Sequence, residues 1–356
     1  MFQQVLSILK RLGIALGVII IVFGLFLLYT TFADYRPAEL ETIRPEGEAA
    51  AGKTGNEVHL VTWNIGYAGL GREMDFFYDG GHDVRPAKMF YDRYVAGIDY
   101  QLAQFRDFDF VMLQEVDRHS KRSYFVDQYN AVRYILGEGH TGIWAWNYSV
   151  PFVPMPLRAP MGAVNSGITI LSRITPLASE RHSLGADAGW PAGLFQLDRC
   201  FILTRFSTES GRELVLINTH NSAFDDGTRR KAQLDKLKEI MIAEFAKGNY
   251  VIAGGDWNLN PPVRFHEENI TADWIEYISP PIEPDYFPGD WQWVTDRTVP
   301  TNRFLKNNYV KGVTYTTIID FFVVSPNVEV IEVKTLDLGF ENADHNPVTM
   351  RVVLGS

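Results

Sequence analysis

An α/β fold behind a single membrane span is what this sequence predicts, and three observations carry the prediction. Short apolar runs of strand character recur at residues 58–64, 107–117, 167–173, 200–206, 213–220, 250–256 and 316–327. Two intervening segments, 87–106 and 228–246, place their apolar residues at helical spacing. Ahead of them lies an uncharged apolar stretch of 21 residues, 12–32, long enough at about 1.5 Å per residue to cross a hydrocarbon core of about 30 Å.

The hydrophobic fraction of 46% suits a packed core rather than a disordered chain. A formal net charge of -10 gives a field that repels polyanions unless basic residues are grouped locally, and no Lys/Arg stripe of the nucleic-acid-binding kind is present. The single cysteine, Cys200, excludes an internal disulfide framework, and its place at the head of an apolar run reads as a buried, inert thiol.

In order along the chain, residues 1–11 form a short tail ending in Lys10 and Arg11, and 12–32 the span. Asp34, Glu39 and Glu41 follow, so the positive-inside rule puts the amino terminus in the cytoplasm and the rest outside. The region after the span offers no convincing small-residue cleavage site, which favours an uncleaved anchor over a removed signal peptide. Residues 33–57, rich in Pro, Gly, small and charged residues without apolar period, read as a tether. From residue 58 to the end the chain reads as one domain, without internal repeats.

The strand-like run VHLVTWNI ends near Asn64, and DFDFVMLQEVD carries Glu115 at its end. The segment GIWAWNYSVPFVPMPLRAP is expected to be irregular because its prolines break both helix and ladder; it serves either as a buried loop or as an aromatic rim. The run ELVLINTH ends in Asn218 and His220. The helix at 228–246 gathers Leu234, Leu237, Met241 and Phe245 on one face, with Gly248 as its stop. Next, YVIAGGDWNLN is expected to turn sharply at Gly-Gly and present Asp256 and Asn258, which would share a side if the segment stayed extended. Residues 261–312 read as long surface loops. Asp320 lies in the middle of TTIIDFFVVSPN, and Asp344 and His345 just before a last strand.

These polar residues supply what metal-assisted phosphoryl hydrolysis requires: a hard carboxylate ligand, amides and imidazoles for phosphate oxygens, and a base for water. No thiolate set or HExxH spacing is present, which disfavours zinc. Each also has a structural reading. Asn64 and Asp256 suit turn caps, Glu115 a pairing with Arg118 or Arg122, and His220 a satisfied core imidazole. Asp320 in an apolar run is different, because a lone buried carboxylate requires a partner, and histidine is a fitting one.

Taken together, Asn64 in TWNI, Glu115 in LQE, His220 in NTH, Asp256 and Asn258 in GDWN, Asp320 in IID and Asp344-His345 in DHNP resemble the ordered motif series of the endonuclease/exonuclease/phosphatase superfamily. That superfamily includes deoxyribonuclease I, bacterial sphingomyelinases and inositol polyphosphate 5-phosphatases. The resemblance spans residues 58–353 and implies a four-layered α/β sandwich, two packed mixed β-sheets flanked by helices. It implies that Glu115 is the principal Mg²⁺ ligand, with Mn²⁺ as the alternative ion, and that Asn64 holds the metal or a phosphate oxygen. Asp256 would align or deprotonate water, Asn258 steady the phosphate, and His220 donate to an oxygen. His345, oriented by Asp320 or Asp344, would act as base or donor. Gly66 stands where DNA-repair members carry an acidic residue, and His220 where a Tyr is frequent, so the likeness leans towards the His-containing branch. Asn221 replaces a commoner Leu, and Ala343 a frequent Ser.

The expected activity is that of a membrane-anchored, extracytoplasmic, Mg²⁺-dependent phosphoesterase acting on a lipid head group or small phosphorylated molecule. An acidic surface disfavours duplex DNA, whose binding rests on phosphate neutralisation. The aromatic stretches at 143–153 and 285–293 are candidates for the membrane interface. An extracytoplasmic nuclease and an inactive binding scaffold are the alternatives.

Overall fold

The computed structural model describes residues 2–185, 188–223, 227–263 and 281–355. Helix α1 (Phe2–Ala33) is one helix long and apolar enough to span a membrane, and extends beyond residues 12–32 at both ends. The domain that follows is built on two large sheets.

The first sheet has six strands. Its centre is β2 (Glu57–Asn64) paired in parallel with β3 (Phe110–Asp117), joined by helix α2 (Lys88–Ala103). Antiparallel neighbours complete it: β15 (Val348–Leu354) and β14 (Val328–Thr335) on one side, β5 (Gly162–Ser172) and β4 (Thr141–Val153) on the other. The second sheet has seven strands and repeats the motif. Here β8 (Glu213–His220) and β9 (Tyr250–Asp256) are parallel and joined by helix α4 (Thr228–Ala246). Strands β13 (Asp320–Val324) and β10 (Gln292–Val294) flank β9, and β7 (Cys200–Ser207), β6 (Ala178–Ser183) and β1 (Leu40–Thr42) flank β8. A separate pair joins β11 (Asn302–Arg303) to β12 (Thr316–Thr317).

Side-chain alternation explains the layering. In β2 and β3, Leu60, Phe110 and Met112 face the other sheet, while Val61, Val111 and Leu113 face outward beneath α2 and helix α3 (Gln128–Leu136). In β9, Tyr250 and Ile252 face inward, and Val251 and Ala253 pack under Leu234, Leu237 and Met241 of α4. Strands buried on both faces read as continuous apolar runs, which is why they stand out in the sequence. The result is the expected four-layered sandwich with mixed sheets.

Several local expectations are corrected. The proline-containing segment after residue 140 is regular: β4 runs unbroken to Val153 with Pro151 inside it. It is an edge strand, and its register slips between Val150 and Val153, so the missing N–H of Pro151 costs no ladder bond. Trp144 and Tyr148 are buried there, as are Phe287 and Trp291 beside α4, so most of the aromatic candidates for a membrane rim are core. Gly254 and Gly255 do not turn the chain but lie within β9. A Cβ on Gly255 would stand 2.0 Å from Thr219 O, and one on Gly254 2.4 Å from the Phe322 ring, so glycine permits the close approach of both neighbouring strands. Asp320 opens β13 rather than occupying its middle. Helix α3, hidden among aromatics, starts at Asp127, whose carboxylate accepts the Asn130 N–H at 3.1 Å. Residues 40–54 do not hang free: β1 extends the second sheet, and Glu46, Ala49, Ala50 and Thr54 bridge to other segments. Of the loops expected over 261–312, residues 264–280 lie outside the described residues.

Candidate active site

Strand register assembles the site. Across the second sheet, His220 pairs with Asp256 and Asp256 with Asp320, a row of three polar residues at the ends of β8 and β9 and the start of β13. In the first sheet, Asn64 ends β2 opposite Gln114 of β3. Glu115 follows at a β-bulge, where pairing with β5 slips between Leu113 and Val116, and its φ is 51°. Left-handed backbone at a non-glycine residue costs about 1–3 kcal/mol and re-aims the side chain. The bulge turns Glu115 towards the neighbouring sheet.

Asp256 is the hub. Its Oδ2 accepts Asn64 Nδ2 at 3.0 Å and lies 3.5 Å from His220 Nε2 and 3.8 Å from His345 Nε2. The Asn64 amide also donates to Glu115 Oε1 at 3.2 Å, while its own oxygen accepts Gly66 N. Glu115 Oε1 is 4.0 Å from His220 Nε2. His345 Nδ1 meets Asp320 Oδ2 at 2.8 Å, and its Nε2 lies 3.7 Å from Asp344 Oδ2. Asn258 joins by a turn rather than by strand alternation: its φ is 50°, its N–H donates to Asp256 Oδ1 at 3.0 Å, and its Nδ2 to Asn221 O at 2.8 Å. Every side chain singled out by the sequence thus lies in one cluster, except that Asn258 reaches it through its backbone.

Burial sets the charges. Asp256 is pushed up to about 6 by burial, with the Asp320 carboxylate adding and His345 opposing. Asp344 is pushed up to about 7 by burial, with Glu115 adding to the shift. Burial alone would lower His345, but Asp320, Asp344 and Asp256 overturn that and hold it well above the ordinary histidine value. His220 lies well below it, because burial is reinforced by Arg199, His345 and Arg122. At neutral pH the site holds one charged and one neutral imidazole.

Two residues that sequence reasoning passed over complete it. Asn147 of β4 takes the Cys200 N–H on its Oδ1 at 3.2 Å, so its Nδ2 faces His220 Nδ1 at 3.2 Å. Neutral His220 therefore accepts at Nδ1 and carries its hydrogen on Nε2, towards Asp256 and Glu115. The Asn302 amide sits 2.9 Å from His345 Nε2. The same Asn302 Nδ2 donates to Asp344 O at 3.4 Å. Asn218, by contrast, joins the sheets: its Nδ2 donates to Leu113 O and Thr169 O, and its Oδ1 accepts Gln114 Nε2.

The donor set fits a hard cation. It consists of carboxylates, amides and imidazoles without thiolates, and Asp320 Oδ1 and Asp344 Oδ1 are buried without a hydrogen-bond partner. Buried Asp256, Asp320 and His345 have ligand atoms within 4.8 Å of one another, close enough to hold an ion. However, His345 Nδ1 and Asp320 Oδ2 are already hydrogen-bonded to each other. Glu115, with a side chain 24% exposed, is the carboxylate that opens to solvent.

No curated protein matches the chain. Among solved structures, an endonuclease/exonuclease/phosphatase from Beutenbergia cavernae DSM 12333 is 16% identical, with a TM-score of 0.55, over 85% of this chain and 72% of its own. ANGEL2, a 2',3'-cyclic phosphatase in complex with adenosine-2',3'-vanadate, is 12% identical, with a TM-score of 0.56, over 90% and 100% respectively. The human Nocturnin catalytic domain with bound sulfate is 15% identical, with a TM-score of 0.51, over 83% and 93%. These likenesses bear on the fold. The model of the Endonuclease/Exonuclease/phosphatase family matches residues 61–345, and the chain belongs to that family.

Proposed function

We propose that this chain is a membrane-anchored, extracytoplasmic, Mg²⁺-dependent phosphoesterase that hydrolyses a phosphodiester or phosphomonoester on a lipid head group or small phosphorylated molecule. The observation that carries the reading is the His220–Asp256–Asp320 row, with Glu115 reaching it from the other sheet and His345 closing it.

Glu115, with Asn64 beside it, would hold the divalent ion, Mg²⁺ or Mn²⁺, which would supply positive charge to neutralise phosphate oxygens during attack. Asp256, as carboxylate, orients a water molecule and takes its proton as the water oxygen bonds to phosphorus. Neutral His220 donates from Nε2 to a phosphate oxygen. Asn258, fixed by Asn221 O, steadies the same group. Charged His345, held by Asp320, stabilises the developing charge and protonates the departing oxygen. Asp344, beside His345, helps to keep it charged. The proton taken at Asp256 and that given at His345 balance the hydrolysis.

The test is full-length protein in detergent, assayed with Mg²⁺ and with a chelator against phosphodiester and monoester model substrates, beside His345→Ala. Mg²⁺-dependent turnover lost in the variant is expected. Neither Mg²⁺ binding nor turnover of any ester would leave a binding scaffold. Salt-sensitive cleavage of plasmid DNA, without turnover of lipid or sugar phosphates, would move the reading to a nuclease.

A further inference from the structure

Of the aromatic side chains at 143–153 and 285–293, Phe152 is the exposed one, and it lies against α1. Helix α1 exposes nearly all its apolar side chains, but its last turns touch the domain. The Phe26 ring packs 6.0 Å from Phe152 and 5.8 Å from Phe195, and Trp190 Nε1 donates to Thr31 Oγ1 at 3.2 Å. Phe26 precedes Phe32, the end of the apolar stretch, by six residues, about 9 Å along a helix. Side chains packed on Phe26 therefore lie below the end of the span, within the ~5–10 Å to which interfacial apolar groups sink.

The surrounding surface has the matching chemistry. Beyond Phe152, the exposed residues include Met155 and Leu157, the latter 80% exposed, and Trp190 is 68% exposed. Residues 149–161 and 188–197 contain no Asp or Glu, in a chain of net charge -10, and include Arg158. Both stretches also lie at the site's end of the sheets. Two antiparallel steps relate β4 to β3, and two relate β6 to β8, so the chain leaves β4 and β6 at the edge where Glu115 and His220 stand.

We propose that residues 152–157 and 190–195 form a lip that inserts into the bilayer interface beside α1 and turns the sheet ends that carry Glu115 and His220 towards the lipid surface. The phosphate ester then comes from a lipid of the same leaflet rather than from solution. This rests on the anchored reading above.

The full chain is reconstituted into phosphatidylcholine vesicles with an environment-sensitive fluorophore on Leu157→Cys, and separately on Tyr134→Cys of the outer helix layer; native Cys200 is buried. The label at 157 is expected to shift to the blue and lose roughly half its emission to doxyl-labelled lipid, as a group at that depth does, while the label at 134 does neither. Trp190→Cys gives an independent second position. A water-like label at 157 and at 190, in protein that resists alkaline carbonate extraction, overturns the lip and leaves the anchor standing. A blue-shifted label blind to the doxyl group, as a second copy covering the lip would give, also overturns it. Release by carbonate overturns anchor and lip together.

Discussion

The two parallel strand–helix–strand units, β2–α2–β3 and β8–α4–β9, are built alike and serve the site differently. Each sends two site residues to its strand ends, Asn64 with Glu115 and His220 with Asp256. In the first unit a bulge lifts Glu115 until its side chain is 24% exposed. In the second the register is unbroken, and His220 and Asp256 side chains are each 3% exposed. Under the proposed function this difference divides the labour: the open unit is assigned the hydrated ion, while the dry unit shifts its proton affinities by desolvation.

The largest effect is expected in the dry unit. Asp256→Asn keeps the shape but removes the proposed base, and kcat should fall by roughly 10²–10⁴ at every Mg²⁺ concentration, with the fold intact by circular dichroism. If activity returned on adding Mg²⁺, the division would be broken. Glu115→Gln should behave in the opposite sense, with a fall of about 10²-fold that excess Mg²⁺ partly recovers, as a weakened ligand requires. Titration of activity against the ion separates the two variants.

Asn147→Ala sharpens the comparison, since this residue acts on His220 without touching Asp256 or Glu115. Loss of the hydrogen bond to His220, about 1 kcal/mol, should lower kcat roughly fivefold with KM unchanged, because the wrong tautomer becomes accessible, while loss of the Cys200 N–H bond is felt in stability alone. The same variant should alter the pH profile of kcat, which a merely structural loss would leave alone.

The smallest effect lies away from the site, where the Arg205 fork donates to both Glu244 oxygens at 2.7 Å across β7 and α4. Hydrogen bonding to Arg205 holds Glu244 down to about 2. A carboxylate lowered on folding contributes stability that is complete above its ordinary value, near 4.5, and is lost as pH falls through about 2. Glu244→Gln should therefore unfold at lower urea than the parent at pH 7, with the gap closing below pH 4.

How much of this was legible in the sequence depends on how local each feature is. Asp256, His220 and Glu115 end runs of apolar residues buried on both faces, so the strands that position them are visible, and their order carries the family resemblance. Pro151 misled because its tolerance depends on β4 lying at an edge, a fact of sheet order. Gly254 and Gly255 look like a turn, yet they answer to Phe322 and Thr219 on neighbouring strands. Asn147 and Asn302 carry no local signal, since they act on histidines 73 and 43 residues away. Asn258 fell between these cases: its presence was legible, but the left-handed turn that delivers it was not.

The central claim is that the cation belongs to the open unit and the proton to the dry one. Anomalous diffraction from crystals soaked in Mn²⁺ tests it directly. A peak within about 2.1–2.3 Å of a Glu115 carboxylate oxygen, with His345 and Asp320 still hydrogen-bonded, is the predicted result. A peak bound by Asp256, Asp320 and His345, with Glu115 unliganded, would contradict it.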